Sequence, residues 1–433
     1  MKALRLPQVS LDIPGLKEIQ MPRMARVRQR FDDSCLSDPT ASLLTALENN
    51  LGEELKSSLT GQRICLGVGS RGIPEIRTLV KTLVSWLKAK GADPFIIPAM
   101  GSHGGATAKG QVDILAGLGL TQTSVGTEIR ATMEAVPVAQ VPGFGPVYCD
   151  RLALQADGII VFNKIKPHSD FRGPHESGLA KMCTVGFGKH QGASAMHAQG
   201  FDRFCEMIPL VAEAFIANTP VLFALGVAEN ANGRLYDLQV MEKADILASD
   251  RAMLVTARSR MARIGFCDLD LLIIDEIGKN ISGNGHDPNI TGRAHSPGFE
   301  NTVNAKRLFI RGLNPASQGN AAGLSLADIT TRRVLEQVDL RSTWTNALTA
   351  GLPQDGRLPL YTENDREAIA LCLLTAPGVL RDRPRVVRIK STVDLGVIQA
   401  SEALLSEAHG REGLEIMEAP KPMLFDESGF LKA

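Results

Sequence analysis

Short apolar runs alternate with amphipathic stretches along this chain, joined by glycine turns, and that order forces strand–helix–strand packing. Arg63-Ile-Cys-Leu-Gly-Val68 is an apolar run ending in Gly69-Ser-Arg-Gly72. Beyond it Ile76, Leu79, Val80, Leu83, Val84 and Leu87 recur at helical spacing, the apolar face of a helix laid on a sheet. Gly91 closes that helix, Pro94 to Pro98 reads as the next strand, and Met100-Gly-Ser-His-Gly-Gly105 turns into a helical Gln111 to Leu118. Further buried-strand candidates are Gly158 to Phe162, Val221 to Val227, Leu271 to Asp275, Leu308 to Ile310 and Val386 to Ile389. The alternation predicts an α/β fold: two α/β domains with mostly parallel sheets and an interdomain active-site cleft. An arginine-rich helix, Arg251 to Arg263, gives way to Asp268-Leu-Asp270 and a new strand. The expected domains are therefore 1–265 and 266–433. In the second, Gly278 to Arg293 is too polar and glycine-rich for a core element and reads as a lid or cleft-facing loop.

Composition narrows the function classes. Lys plus Arg equals Asp plus Glu at 47 each, so no net field steers the chain to nucleic acid or to an acidic membrane. Seven scattered cysteines without a Cys-x-x-Cys pair fit reduced thiols in a cytoplasm. No apolar run approaches the roughly 20 residues that span a bilayer. The expectation is a soluble cytoplasmic protein with a small-molecule partner, no nucleic acid and no membrane.

Polar signatures follow the strand candidates, where ligands of parallel sheets bind. Ser70-Arg71 follows one strand, His103 another and Asn163 to His168 a third. The first turn suits a phosphate, with free backbone N–H groups and an arginine fork, although a surface ion pair is the commoner use of such an arginine. It lacks the Gly-Lys-Ser/Thr ending of a Walker loop. Four of the eight histidines, His168, His175, His190 and His197, share one stretch with Lys164, Lys166, Arg172, Lys181 and Lys189. Imidazole moves protons near neutrality and ligates borderline metals; helix capping is the alternative for His103, as a solvated helix face is for Lys181.

Taken together, Ser70-Arg71, Gly101-Ser-His103, Pro167-His168 and the Lys181 to His197 spacing around Gly192-Ala-Ser resemble the nickel-dependent lactate racemase family, whose members invert C2 of 2-hydroxy acids with a nickel pincer nucleotide (pyridinium-3,5-bisthiocarboxylic acid mononucleotide nickel). The resemblance implies that 1–265 is the catalytic and cofactor-binding domain and that 266–433 contributes to the substrate cleft. It assigns Ser70 and Arg71 to the cofactor phosphate, Lys181 to its thioacyl arm, His197 to nickel, and His103 and His168 to acid/base catalysis. Hydrogen would leave C2 as hydride, giving a 2-keto acid, while one imidazole takes the hydroxyl proton and the other returns it. It also implies a supply of cofactor from its biosynthetic enzymes, and it is compatible with a homodimer.

The chain departs from the family pattern at Val68, where Asp is common, at Gly104, where Arg is common, and at Thr291-Gly292, where Tyr-Gln follows Asp287-Pro-Asn-Ile290. A substrate larger than lactate, such as an aldonic acid, follows from these changes, with Arg172, Lys279, Asn280, Asn284 and Arg293 as speculative contacts. A zinc-type metal-dependent hydrolase and a non-enzymatic nucleotide or sugar-acid binding protein are the alternatives. His175 and His190 receive no role.

Overall fold

The computed structural model describes residues 4–299 and 302–432. The chain divides into two compact units, Asp32–Met261 and the flanking stretches through Phe31 and from Ala262. The first strand, β1 (Arg23–Gln29), belongs to the second of these. The expected 1–265 and 266–433 division differs here: residues before Asp32 join the unit that begins again at Ala262. The cause is strand pairing, because β1 hydrogen-bonds strands that come almost 400 residues later, with Val27 opposite Ile398.

In Asp32–Met261 the strands are β2 (Arg63–Val68), β3 (Asp93–Pro98), β4 (Ala135–Val141), β5 (Gly145–Asp150), β6 (Gly158–Lys164), β7 (Val221–Glu229) and β8 (Leu235–Glu242). The sheet order is β3-β2-β6-β7-β8, with β4 and β5 as a separate hairpin. Within the five-stranded sheet every pair is parallel except β7 with β8, and the β4–β5 hairpin is antiparallel. Helix Ile76–Ala89 buries Ile76, Leu79, Val80, Leu83, Val84, Trp86 and Leu87 against one face; each fully buried side chain of this size stabilises by about 1.5–3 kcal/mol. The other face is covered by helices Phe204–Asn218 and Ile246–Ser259 and by Phe187. The tip of the Phe187 ring reaches β2 because Gly67 has no side chain: a Cβ there would stand 2.1 Å from Phe187 Cζ.

The other unit holds β1 with β9 (Asp268–Ile274), β10 (Asn304–Ile310), β11 (Ile329–Thr331), β12 (Leu360–Thr362), β13 (Val386–Ile389), β14 (Val397–Ser401), β15 (Leu414–Ile416) and β16 (Lys421–Pro422). Its order is β12-β11-β10-β9-β13-β14-β1-β15, with β16 also on β1. The half from β12 to β13 is parallel, and the half from β14 onward is antiparallel. The Gly278 to Arg293 segment, expected as a lid or cleft-facing loop too polar for the core, buries several of its polar side chains within its own unit. Asn284, His286, Asn289 and Thr291 are buried. Its polar backbone is satisfied locally, with Gly278 N–H on Gly285 O (2.8 Å) and Asp287 capping Asn289 N–H (2.9 Å). Gly285 at φ +75° presses against Ala322 O, which a Cβ would meet at 1.7 Å. Among the described residues no helix is long and apolar enough to cross a membrane.

Candidate functional site

In Asp32–Met261 the chain runs from β2 outward to β3 and then returns to β6 on the other side of β2. Open α/β sheets bind ligands at such a reversal, in the crevice beyond the carboxyl ends of the strands. The turns singled out in the sequence all leave from this edge: Ser70-Arg71 after β2, His103 after β3 and His168 after β6.

The β3 turn is tied from below. Lys189, wholly buried, donates to Pro98 O (2.6 Å) and Gln111 Oε1 (3.0 Å) and pairs with buried Asp150 (3.0 Å). The Gln111 amide then donates to Gly101 O (2.8 Å) and His103 O (3.3 Å). His103 itself is exposed, and its Nδ1 lies 2.5 Å from Ser70 Oγ. A hydroxyl both donates and accepts, so this partner tolerates either tautomer of His103. The sequence reading gave Ser70 to a phosphate and overlooked this contact, as it overlooked Lys189.

His168 is held more tightly. Its backbone N–H donates to Glu176 (2.7 Å), whose other oxygen takes Gly173 N–H (3.0 Å) and the Arg258 guanidinium. Asp170 N–H donates to His168 Nδ1 (3.0 Å), and Lys181 Nζ contacts His168 Nε2. An Nδ1 that accepts leaves the ring proton on Nε2, so the lone pair in the second contact has to come from Lys181. That pairing joins a neutral imidazole to the uncharged form of the amine, the minor form at pH 7 and the major one above pH 8. Burial, reinforced by surrounding cations, drives His168 well below the ordinary imidazole value. Burial, with Arg71 and Lys166 and against Asp170, brings Lys181 down to about 8.

Lys181 sits on the single helical turn Leu179–Lys181, which runs into a π-helical turn, Met182–Gly186, and then helix Lys189–His197. The start of that turn is fixed by Asp250, which accepts Leu179 N–H (2.5 Å) and pairs with His175 Nδ1 (2.8 Å). Gly178 makes room for it, since a Cβ there would lie 2.2 Å from Asp250 Oδ1. His175 therefore acts as a structural partner, whereas His190 is exposed.

At the end of the helix, His197 Nδ1–H donates to Ala193 O (2.7 Å). That bond fixes the tautomer and leaves the Nε2 lone pair for a metal. Phe201 and Phe204 present their rings at 5.9 and 5.7 Å, and burial keeps the imidazole below its usual pKa. Among the described residues no group of three or more His, Cys, Asp and Glu side chains is arranged to hold a metal. One oriented imidazole beside an amine suits a metal that arrives with its other donors already attached, and the donors of a tetrahedral zinc site are not assembled.

Arg71 is exposed and within electrostatic reach of Asp170, His168 and Lys181. Arg172 is half-buried in the same unit. The other expected contacts lie in the second unit. Lys279 and Asn280 are exposed, with the Asn280 amide on Asn314 (3.2 Å). Arg293 is engaged by Asp328 and Ala305 O, both at 2.9 Å.

Strand order defines a doubly wound α/β unit with His103 and His168 on the turns that follow two of its parallel strands. No protein-family profile and no curated protein matches the sequence. Among solved structures, the chain is similar to the lactate racemase apoprotein from Thermoanaerobacterium thermosaccharolyticum, at 15% identity over 84% of each chain with a TM-score of 0.47.

Proposed function

We propose that this chain inverts C2 of a 2-hydroxy carboxylic acid larger than lactate, such as an aldonic acid, with a nickel pincer nucleotide in the crevice between β2 and β6. The observation that carries the reading is the set of contacts made by three imidazoles. His103 faces a hydroxyl partner that allows it to give or take a proton. His168 is held neutral by burial, and His197 keeps one nitrogen for a metal beside an amine of lowered pKa. The bound cofactor would supply a hydride acceptor and the sulfur and carbon donors of nickel. His197 would add Nε2, Lys181 would meet the thioacyl arm, and Arg71 with the backbone of its turn would hold the phosphate.

The chain's own chemistry is confined to the hydroxyl proton, because a C2–H beside a carboxylate is barely acidic. One imidazole takes that proton and the other returns it on the opposite face. In the resting arrangement Nε2 of His168 is covered by Lys181; drawing the amine onto a ligand would uncover the N–H. Loading the site would then release the acid.

The test uses protein co-produced with the cofactor-making enzymes and a panel of 2-hydroxy acids deuterated at C2, with inversion and label retention followed by NMR. His103→Ala and His168→Ala should each abolish inversion with bound nickel unchanged, and His197→Ala should strip nickel. Full turnover in either of the first two, or undiminished nickel in the third, removes the assigned role.

A further inference from the structure

The second unit has a switch point of its own. From β9 the chain proceeds outward through β10, β11 and β12, then returns to place β13 on the other side of β9. A cavity of about 600 Å³ opens at that position, within the size range of small-metabolite sites. Its wall includes Asp275 and Glu276, which follow β9, Arg311, which follows β10, and Lys390, which follows β13. None of the residues assigned to the nickel site or its substrate lines it.

Its floor is a row of side chains on one face of the sheet. Arg26 on β1 stands opposite Gln399 on β14, and Gln399 opposite Arg388 on β13. Arg388, 7% exposed, grips Asp275 through Nε (2.9 Å) and Nη2 (2.8 Å) and donates from Nη1 to Lys432 O (3.3 Å). Arg311 takes Asp275 (2.6 Å), Asp365 (2.9 Å) and Leu431 O (2.7 Å). A guanidinium carries five N–H donors, so each of these arginines keeps donors beyond the bonds that hold it in place. The rim carboxylates already have partners: Asp394 faces Lys390 at 3.6 Å, and Glu276 accepts the Asn314 amide at 3.1 Å. Arg26 has no side-chain hydrogen bond or ion pair among the described residues. Exposed and within electrostatic reach of Glu418, its guanidinium stands next to an amide and to the spare donors of a rigid arginine.

We infer that this cavity is a second ligand site, for a small organic oxyanion bearing a carboxylate or a phosphate ester, bound by Arg26, Gln399 and Arg388. The geometry matches the ligand: the Arg388 guanidinium, held in place by Asp275, offers its spare donors to a planar or tetrahedral oxyanion at little entropic cost, beside the Gln399 amide and the Arg26 fork. The inference does not depend on the reaction proposed above.

The full-length protein is titrated with inorganic phosphate and, separately, with malonate, by calorimetry at constant ionic strength. Saturable binding of one equivalent is expected with at least one of them. Phosphate alone assigns a phosphate ester as the ligand, malonate alone a carboxylate. Arg26→Met should weaken binding by about tenfold or more, the worth of a charge-assisted hydrogen bond. Gln399→Glu, which sets a carboxylate beside the anion, should abolish it, and both variants should keep the parent circular dichroism and thermal midpoint without ligand. Arg71→Met should leave binding intact. No saturable heat with either anion, or loss in Arg71→Met with retention in Arg26→Met, overturns the inference.

Discussion

At Lys181 one tautomer decides the chemistry. Because Asp170 N–H occupies Nδ1 of His168, the amine accepts at Nε2 in its uncharged form, and that form is the nucleophile. With its pKa near 8, trapping of Lys181 by an amine-directed electrophile, followed by peptide mass spectrometry, should rise with pH to a midpoint near 8; ordinary lysines centre near 10.4. Asp170 favours the ammonium, so Asp170→Asn should move the midpoint lower still. A midpoint in the ordinary lysine range would sink the assignment. Much of this site was visible in the sequence as residue types after strands. The contacts were not. Ser70 and His103 are 33 residues apart and meet only because β3 lies beside β2. Lys189 reads as one more surface lysine until its burial places it under the His103 turn.

Among the elements, β2 meets the end of the π-helical turn through Phe187, the residue that follows it, against Gly67. Gly67→Ala would force the ring off β2 and disturb the segment that carries Lys181, at about 1–3 kcal/mol by overpacking. Urea denaturation should show that loss, and Phe187→Leu in the same background should cost less than it does alone. Additive losses would mean that the ring and the strand do not press on each other. The buried parallel strands were legible as apolar runs, and Val386–Ile389 has the expected ends. The half-exposed strands β5 and β8 were missed because they carry no such run, and β4 because Pro137 interrupts its apolar residues. The 278–293 loop was misread because its buried polar groups are satisfied by partners that composition does not reveal.

For the whole molecule, the alternation of strands and helices gave the architecture but not the ownership of β1. An alternating strand such as Arg23-Met-Ala-Arg-Val-Arg-Gln29 can join any sheet edge, and its partners lie at the far end of the chain. Residues 32–261 expressed alone should therefore fold cooperatively, since both faces of their sheet are covered from within. Residues 262–433 alone should aggregate, with the edges of β14 and β15 bare, and should be rescued when a peptide spanning 1–31 is added. Soluble, cooperatively melting 262–433 without the peptide would contradict this. Because β1 waits for partners near the carboxyl end, the ribosome releases residues 32–261 as a finished body while their host is still half made. β1 stays tethered and unpaired until residues 397–422 have been made.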